Sequence, residues 1–270
     1  PYGFLHQGNQ DEAEFAANAA SWLDDKINEI GASNVAAFVA EPIQGAGGVI
    51  VPPAGYFKHI QEICRRHDIL FVADEVITGF GRTGQWFASQ TMELEPDMMA
   101  LAKGLTSGYV PMSAVMVGDR VANKLIADGG EFYHGFTYSG HPVAAAVALA
   151  NLELIEREDM ITRVREDTGP YLAEALAPLA EHRIVGEIRT FGVLAAIELV
   201  KSKDGPEMFE DTGATGVICR DHAINRGLMM RAVRDAMILS PALTYSRADI
   251  DETVRIAAQA LDATADQLGL

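Results

Sequence analysis

Three apolar runs without alternating polar residues most constrain how this chain can fold. Strands that are buried on both faces have this pattern, which is typical of a parallel sheet covered by helices. The carboxyl ends of parallel strands share one edge of the sheet, and ligands bind at that edge. The runs and the charged residues that end them are 35–40 with Glu41, 69–73 with Asp74, and 98–102 with Lys103. We therefore predict that one lysine and two acids converge at a single edge.

The order of the predicted elements indicates the α/β class. Amphipathic helices alternate with strands in the first part of the chain, which is the signature of βαβ units. The predicted helices are 11–30, 54–67 and one from Pro142 to about Glu158, and the predicted strands are 35–40, 69–75, 97–102 and 112–117. We expect residues 1–150 to form part of a large domain with a mostly parallel sheet.

The remaining residues, 151–270, have a different pattern and predict a smaller α+β domain. Short strands alternate here with longer helices, and no internal repeat is present. The predicted helices are 163–181, 213–226 and 248–267, and the predicted strands are two within 184–200, then 227–232 and 237–239.

Charge and cysteine content exclude several classes of partner. The chain has 38 acidic and 21 basic side chains, a net charge of −17, which argues against nucleic acid or an anionic membrane as a partner. No apolar run is long enough to span a bilayer. Cys64 and Cys219 lie far apart and lack the spacing of metal ligands, so we predict no metal site. Their low number suggests a reducing compartment, and we expect a cytoplasmic protein.

A lysine and an acid on neighbouring strand ends suit one particular cofactor. A lysine amine can bond covalently to a carbonyl group. Pyridoxal phosphate is held by such a lysine and needs an acid at its pyridinium nitrogen. Lys103 fits the first role and Asp74 the second. Taken singly, each residue has an alternative interpretation: Lys103 as a solvated charge at a strand end, and Asp74 as a helix cap.

Two loops allow more than one interpretation. Residues 79–84 match G-x-G-x-x-G after a strand, so a dinucleotide site is an alternative. The preceding acids and Arg82, followed by two aromatic residues, argue against it. Residues 137–142 place hydroxyl groups just before a helix, which suits either a phosphate site or an ordinary helix cap.

Five segments together carry a resemblance to a known family. They are AEPIQGAGG at 40–48, DEVITGFGRTG at 74–84, AKGL at 102–105, HGFTYSGHP at 134–142 and GLMMR at 227–231. In this order and spacing the chain resembles, over essentially its whole length, the class III aminotransferases. These form the omega-aminotransferase branch of the fold-type I pyridoxal-phosphate enzymes.

The resemblance implies a role for each matching residue. Lys103 would bind pyridoxal 5′-phosphate covalently and move a proton between substrate carbons, and Asp74 would pair with the pyridinium nitrogen. Val76 and Ile77 would contact the cofactor, with Val76 against one face of its ring. Thr137 would reach the phosphate of the neighbouring subunit's cofactor. That last role implies a homodimer with shared active sites, or a higher oligomer built from it.

Two departures from the family's subgroups bear on substrate. Ornithine- and 4-aminobutyrate-type members have glutamine at the position of Ile77. They also have an arginine in the region matching 237–241, where it pairs with the acid matching Glu41. Its absence favours amine:pyruvate or diamine:pyruvate transamination, with Glu41 in the substrate site. Arg231 occupies the position of a mobile arginine that binds the carboxylate of the acceptor.

We expect this chain to be the C-terminal part of a longer protein. Family members supply a Gly-Ser phosphate loop and a ring-stacking aromatic residue from a segment that precedes the position of Pro1, so that segment is expected to be required. The expected reaction moves an amino group from a primary amine, diamine or omega-amino acid to pyruvate or a similar 2-oxo acid. The alternatives are a racemase, aminomutase or decarboxylase reaction with the same cofactor, and a non-catalytic partial chain that needs a partner.

Overall fold

The computed structural model describes residues 1–203 and 207–270, which form two compact units. Unit 1 comprises Pro1–Ile43, Pro52–Gly81 and Gln85–Asp159, and unit 2 comprises Gln44–Val51, Arg82–Gly84 and Met160–Leu270. The boundary expected at residue 150 falls inside a helix, and the division follows Asp159 instead. Two short loop segments of the first 150 residues also belong to unit 2.

Unit 1 is built on a four-stranded sheet. Its strands are β1 (Ala37–Ala40), β2 (Leu70–Asp74), β3 (Met98–Leu101) and β4 (Ala114–Val117), in the order β1-β2-β3-β4. The first three strands are parallel, and β4 is antiparallel to β3. The predicted α/β class with a mostly parallel sheet is therefore confirmed.

Helices of unit 1 precede, connect or follow these strands. They are α1 (Gly3–His6), α2 (Glu12–Ile30), α3 (Tyr56–Arg66), α4 (Ala88–Thr91), α5 (Asp119–Asp128) and α6 (Pro142–Arg157). The Asp11 carboxylate caps α2 by accepting the Glu14 amide at 2.8 Å, and Gly31 ends it at a φ of 89°. Helix α5 was not predicted, although Val121 and Leu125 have helical spacing; it buries no residue in this structure.

Unit 2 is an α+β arrangement around an antiparallel sheet. Its strands are β5 (Val185–Phe191), β6 (Leu194–Leu199), β7 (Arg231–Val233) and β8 (Ala236–Leu239), in the order β5-β6-β8-β7. Its helices are α7 (Met160–Arg163), α8 (Gly169–Leu176), α9 (Ala214–Ile224) and α10 (Arg247–Leu268). Every residue of β6 and β8 is buried, so these two strands form the centre of the core.

The single helix predicted over 163–181 is wrong. A π-helical turn over Val164–Thr168 separates α7 from α8, and a 3-10 turn over Ala177–Glu181 follows. The Gly169 amide bonds to the Val164 carbonyl five residues back. Pro170 has no amide hydrogen and its ring crowds the preceding turn, so the extra residue of the π turn accommodates it.

Candidate active site

The carboxyl ends of β1, β2 and β3 lie side by side in unit 1. Ala40 pairs with Ala73, and Asp74 pairs with Ala100. Glu41 follows Ala40 directly, so it ends the strand next to the one that Asp74 ends. Lys103 lies just beyond β3. The structure thus brings Glu41, Asp74 and Lys103 to one edge of the sheet, with both acids half-buried and the lysine exposed.

The Asp74 carboxylate is held by the backbone that follows it. Its Oδ1 accepts the amide of Val76 at 3.0 Å, a turn in which the side chain bonds to its own chain two residues on. Val76 and Ile77 follow directly and are half-buried. This bond fixes the direction of the carboxylate before any ligand contacts it.

Glu75, which sequence reasoning did not assign to the site, organises the loop behind Asp74. Its side chain is fully buried. The carboxylate accepts the Thr78 hydroxyl at 2.5 Å, the Ala88 amide at 3.0 Å and the Ser89 amide at 2.6 Å. The two amides belong to the first turn of α4, where a negative charge is favourable. An acid at the end of a buried strand, directly after another acid, was the available signal.

The structure rules against the dinucleotide interpretation of residues 79–84. A dinucleotide loop opens a helix whose N-terminus faces the pyrophosphate. Here the chain turns back, with the Phe80 amide bonded to the Trp86 carbonyl at 2.6 Å, and the next helix is the four-residue α4. In unit 2 the Arg82 guanidinium donates to the Pro241 carbonyl, and burial lowers the pKa of this arginine.

Lys103 sits at the start of a tight turn in a strained conformation. Its φ is 40°, in the left-handed region that costs a residue with a Cβ about 1–2 kcal/mol. The next residue must be glycine, because a Cβ on Gly104 would lie 2.9 Å from two side-chain carbons of Phe80. The Asn151 side chain donates to the carbonyls of Gly104 and Leu105. The turn that presents the lysine is therefore restricted both by packing against Phe80 and by the hydrogen bonds from Asn151.

Thr137 and Arg231 occupy exposed positions. Thr137 lies in a turn closed by the Ser139 amide, which donates to the Phe136 carbonyl at 2.9 Å. An apolar cavity of about 630 Å³ lies in unit 1 between residues 110–113 and 136–144, the region that includes this turn. In the described part of the chain no hydrogen bond connects Thr137 to Asp74 or Lys103. Arg231 begins the edge strand β7 of unit 2.

Three residues of the region that lacks the subgroup arginine are part of the core, whereas Ser240 is exposed. Met237, Ile238 and Leu239 lie in β8 and are 0%, 9% and 4% exposed. An arginine at one of these three positions would bury its charge, which is unfavourable unless the charge is paired.

Within residues 1–203 and 207–270, no three histidine, cysteine or acidic side chains are grouped so that they could hold a metal ion. No helix in this same part of the chain is long and apolar enough to cross a membrane.

Comparison with known proteins decides the family. The family model for class-III aminotransferases matches residues 4–261. This chain is a class-III aminotransferase by family. It is 54% identical over 265 residues to the putrescine–pyruvate aminotransferase of Pseudomonas aeruginosa, covering 98% of the chain and 58% of that protein. It is 40% identical over 266 residues to the vanillin aminotransferase of Capsicum annuum, covering 97% and 58%.

Solved structures of class-III aminotransferases share the fold. The omega transaminase of Pseudomonas jessenii in complex with PMP superposes with a TM-score of 0.94 at 41% identity, over 100% of this chain and 60% of that one. The chain thus spans somewhat more than half the length of the relatives it matches. The fold-type I assignment made from sequence is confirmed.

The cofactor of the class-III aminotransferases is pyridoxal 5′-phosphate, and the strand-end residues fit it. An amine and a carboxylate stand on neighbouring parallel strands, on the edge of the sheet where ligands bind. The amine suits the cofactor's carbonyl, and the carboxylate suits its ring nitrogen. Both are on the strained or hydrogen-bonded turns described above, which restrict their positions.

Proposed function

We propose that the protein to which this chain belongs is a transaminase. It moves an amino group from a primary amine, a diamine or an omega-amino acid to pyruvate or a similar 2-oxo acid. The observation that supports this most is the placement of Asp74 and Lys103 on adjacent parallel strand ends in a class-III aminotransferase. The 54% identity to a putrescine–pyruvate aminotransferase makes putrescine and pyruvate the first pair to test.

Two residues do the central chemistry in this proposal. When bound, the cofactor supplies a carbonyl group for the amine and a ring that accepts electrons. Lys103 would hold it covalently through its side-chain nitrogen, and this nitrogen would afterwards take up the proton from one substrate carbon and return it to another. Asp74 keeps the ring nitrogen protonated through a charge-assisted hydrogen bond, worth about 1.5–3 kcal/mol. The bond from the Val76 amide orients this carboxylate.

The other residues bind the cofactor or select the substrates. Val76 and Ile77 contact the cofactor's ring region. Arg231 binds the acceptor's carboxylate, because a planar guanidinium offers two parallel donors to it. Glu41 lies at the same edge as Asp74, where its negative charge favours a donor with a second ammonium group.

Assembly is part of the proposal. Thr137 binds the phosphate of a neighbouring subunit's cofactor, so a homodimer with shared sites is the working unit. Support comes from the exposed hydroxyl-bearing turn just before α6. We propose a cytoplasmic location because both cysteines are buried and unpaired.

The test uses the protein at its natural length. Holoenzyme is incubated with putrescine and pyruvate, and alanine formation is followed. Borohydride reduction and peptide mapping should then find the pyridoxyl group on Lys103, and Lys103→Ala should abolish alanine formation while retaining the fold. Label on another lysine would refute the site. Cofactor binding without amino transfer to any 2-oxo acid would favour a racemase, aminomutase or decarboxylase, and absence of cofactor would favour a non-catalytic chain.

A further inference from the structure

We propose that Asn151 is a positioning residue that fixes the turn from which Lys103 acts. The proposal rests on the proposed function, because it concerns the same lysine. Asn151 Nδ2 donates to the Gly104 carbonyl at 2.8 Å and to the Leu105 carbonyl at 3.2 Å. These are the two residues that follow Lys103, so a single amide group spans the turn that presents the lysine.

The turn needs such a contact because it is strained. Lys103 has a φ of 40°, and Ser107 at its far end has a φ of 52°, both in the region that side chains with a Cβ disfavour. The turn's own backbone bonds are mostly long: the Leu105 amide donates to the Ala102 carbonyl at 3.0 Å, the Thr106 amide to the Lys103 carbonyl at 3.3 Å, and the Ser107 amide to the Gly104 carbonyl at 3.4 Å. Backbone strain persists only where the surroundings hold it.

The chemistry of this position requires a donor. Both acceptors are carbonyl oxygens, and the NH₂ group of asparagine supplies two hydrogens to them. An aspartate of nearly the same size would direct carboxylate oxygens at two carbonyls, which is repulsive. The side chain's size alone therefore does not account for the contact.

Asn151 also interrupts an apolar stripe. The buried residues of α6 are Ala144, Ala148 and Ile155, and Asn151 continues their spacing of three and four residues. A polar side chain on such a stripe is half-buried and costly unless it is hydrogen-bonded. Its bonds go only to the Lys103 turn among the described residues. The amide is therefore placed for that turn.

Phe80 packs against the same turn. A Cβ on Gly104 would lie 2.9 Å from Phe80, so this close approach of the backbone to the phenylalanine depends on glycine. Packing against Phe80 and the hydrogen bonds from Asn151 therefore both restrict the turn that carries Lys103. Loss of the Asn151 bonds releases one of these two constraints.

The experiment compares four variants of the full-length holoenzyme: Asn151→Ala, Asn151→Ser, Asn151→Asp and, as a matched control, Asn123→Ala. Asn123 is an exposed asparagine on α5. Asn151→Ala should lower kcat about tenfold, which corresponds to about 1.4 kcal/mol, and leave KM for amine and pyruvate within about twofold. Asn151→Ser keeps one hydrogen-bond donor, so its kcat should fall less than that of Asn151→Ala. Asn151→Asp should lose more than Asn151→Ala, although it preserves size.

A spectroscopic readout separates positioning from stability. The pH midpoint of the holoenzyme's visible absorption should shift by about half a unit or more in Asn151→Ala, because the surroundings of the lysine nitrogen change. The Asn123→Ala midpoint should equal that of the unsubstituted protein. If Asn151→Ala does not fold, the kcat values of the other two variants test the proposal, which requires Asn151→Ser to be more active than Asn151→Asp.

Two results would overturn the proposal. One is a lowered melting temperature with unchanged kcat and midpoint, which would make Asn151 a stability residue only. The other is an Asn151→Asp variant as active as the unsubstituted protein. The absorption measurement requires bound cofactor but does not depend on amino transfer. If no amine is transaminated, the proposed function fails, while the midpoint still decides the role of Asn151.

Discussion

Replacing Arg189 by methionine removes the centre of a buried ion network in unit 2. The guanidinium is 7% exposed and donates to Glu187 at 2.6 Å and to Glu198 at 2.8 Å. It also donates to the Gly48 carbonyl at 2.7 Å, which fixes the loop segment 44–51. The Glu198 side chain is only 8% exposed, so the substitution removes a cation that lies beside a buried carboxylate.

Breaking a buried pair by removing one partner costs about 3–5 kcal/mol, since the remaining charge stays desolvated. The shift is about 2 °C per kcal/mol for 270 residues and smaller for a longer protein, so the melting temperature of the full-length protein should fall by about 3–10 °C. Differential scanning calorimetry of the full-length protein measures this. The matched control is Arg255→Met, whose pair with Glu252 has side chains 53% and 57% exposed. Such surface pairs contribute about 0–1 kcal/mol.

A double variant tests the cause. Adding Glu198→Leu to Arg189→Met removes the buried carboxylate as well, and apolar replacement of a buried pair is often neutral. The melting temperature should then recover in part, because the Gly48 carbonyl still lacks its donor. A single variant no less stable than Arg255→Met, or a double variant no more stable than the single one, would refute this reasoning.

Three further predictions concern the site and the thiols. Asp74→Ala should reduce kcat far more than Asp74→Glu, which keeps a carboxylate for the ring nitrogen; steady-state kinetics with near-normal Asp74→Ala turnover would contradict the role. Arg231→Ala should raise KM for pyruvate about tenfold or more while hardly affecting the half-reaction with 1-phenylethylamine; equal losses in both half-reactions would indicate a structural role. Burial raises the pKa of Cys64 and of Cys219 to about 11, so thiolate is scarce at pH 8. Mass spectrometry after iodoacetamide treatment should find both modified only when the protein is unfolded, and labelling of the native protein would contradict their burial.

Local sequence pattern determined the strands of the sheet and the residues at their ends. Continuous apolar runs are typical of strands in parallel sheets, and the first charged residue after a run marks the end of the strand. The expectation that these strands are buried on both faces is wrong for the described residues, because β1 and β3 are mostly half-buried and Val39 is 60% exposed. Asp74 and Lys103 were therefore visible without a structure, and the Lys-Asp combination already indicated the cofactor. Helix α5 was missed, although the spacing of Val121 and Leu125 is the helical signal that could have found it. The break between α7 and α8 depended on how Pro170 and Gly169 were accommodated.

Only the tertiary structure determined the contacts between residues that are far apart in the chain. The Asn151 amide meets the Gly104 carbonyl across 47 residues, and Arg189 meets Gly48 across 141. Glu75 reaches the first turn of α4, 14 residues away at Ser89. The pattern of buried residues along a helix or strand involves residues that are close in sequence, so a local stretch of sequence is enough to predict it. A hydrogen bond between distant groups depends on where the whole fold places both, and no local pattern specifies that.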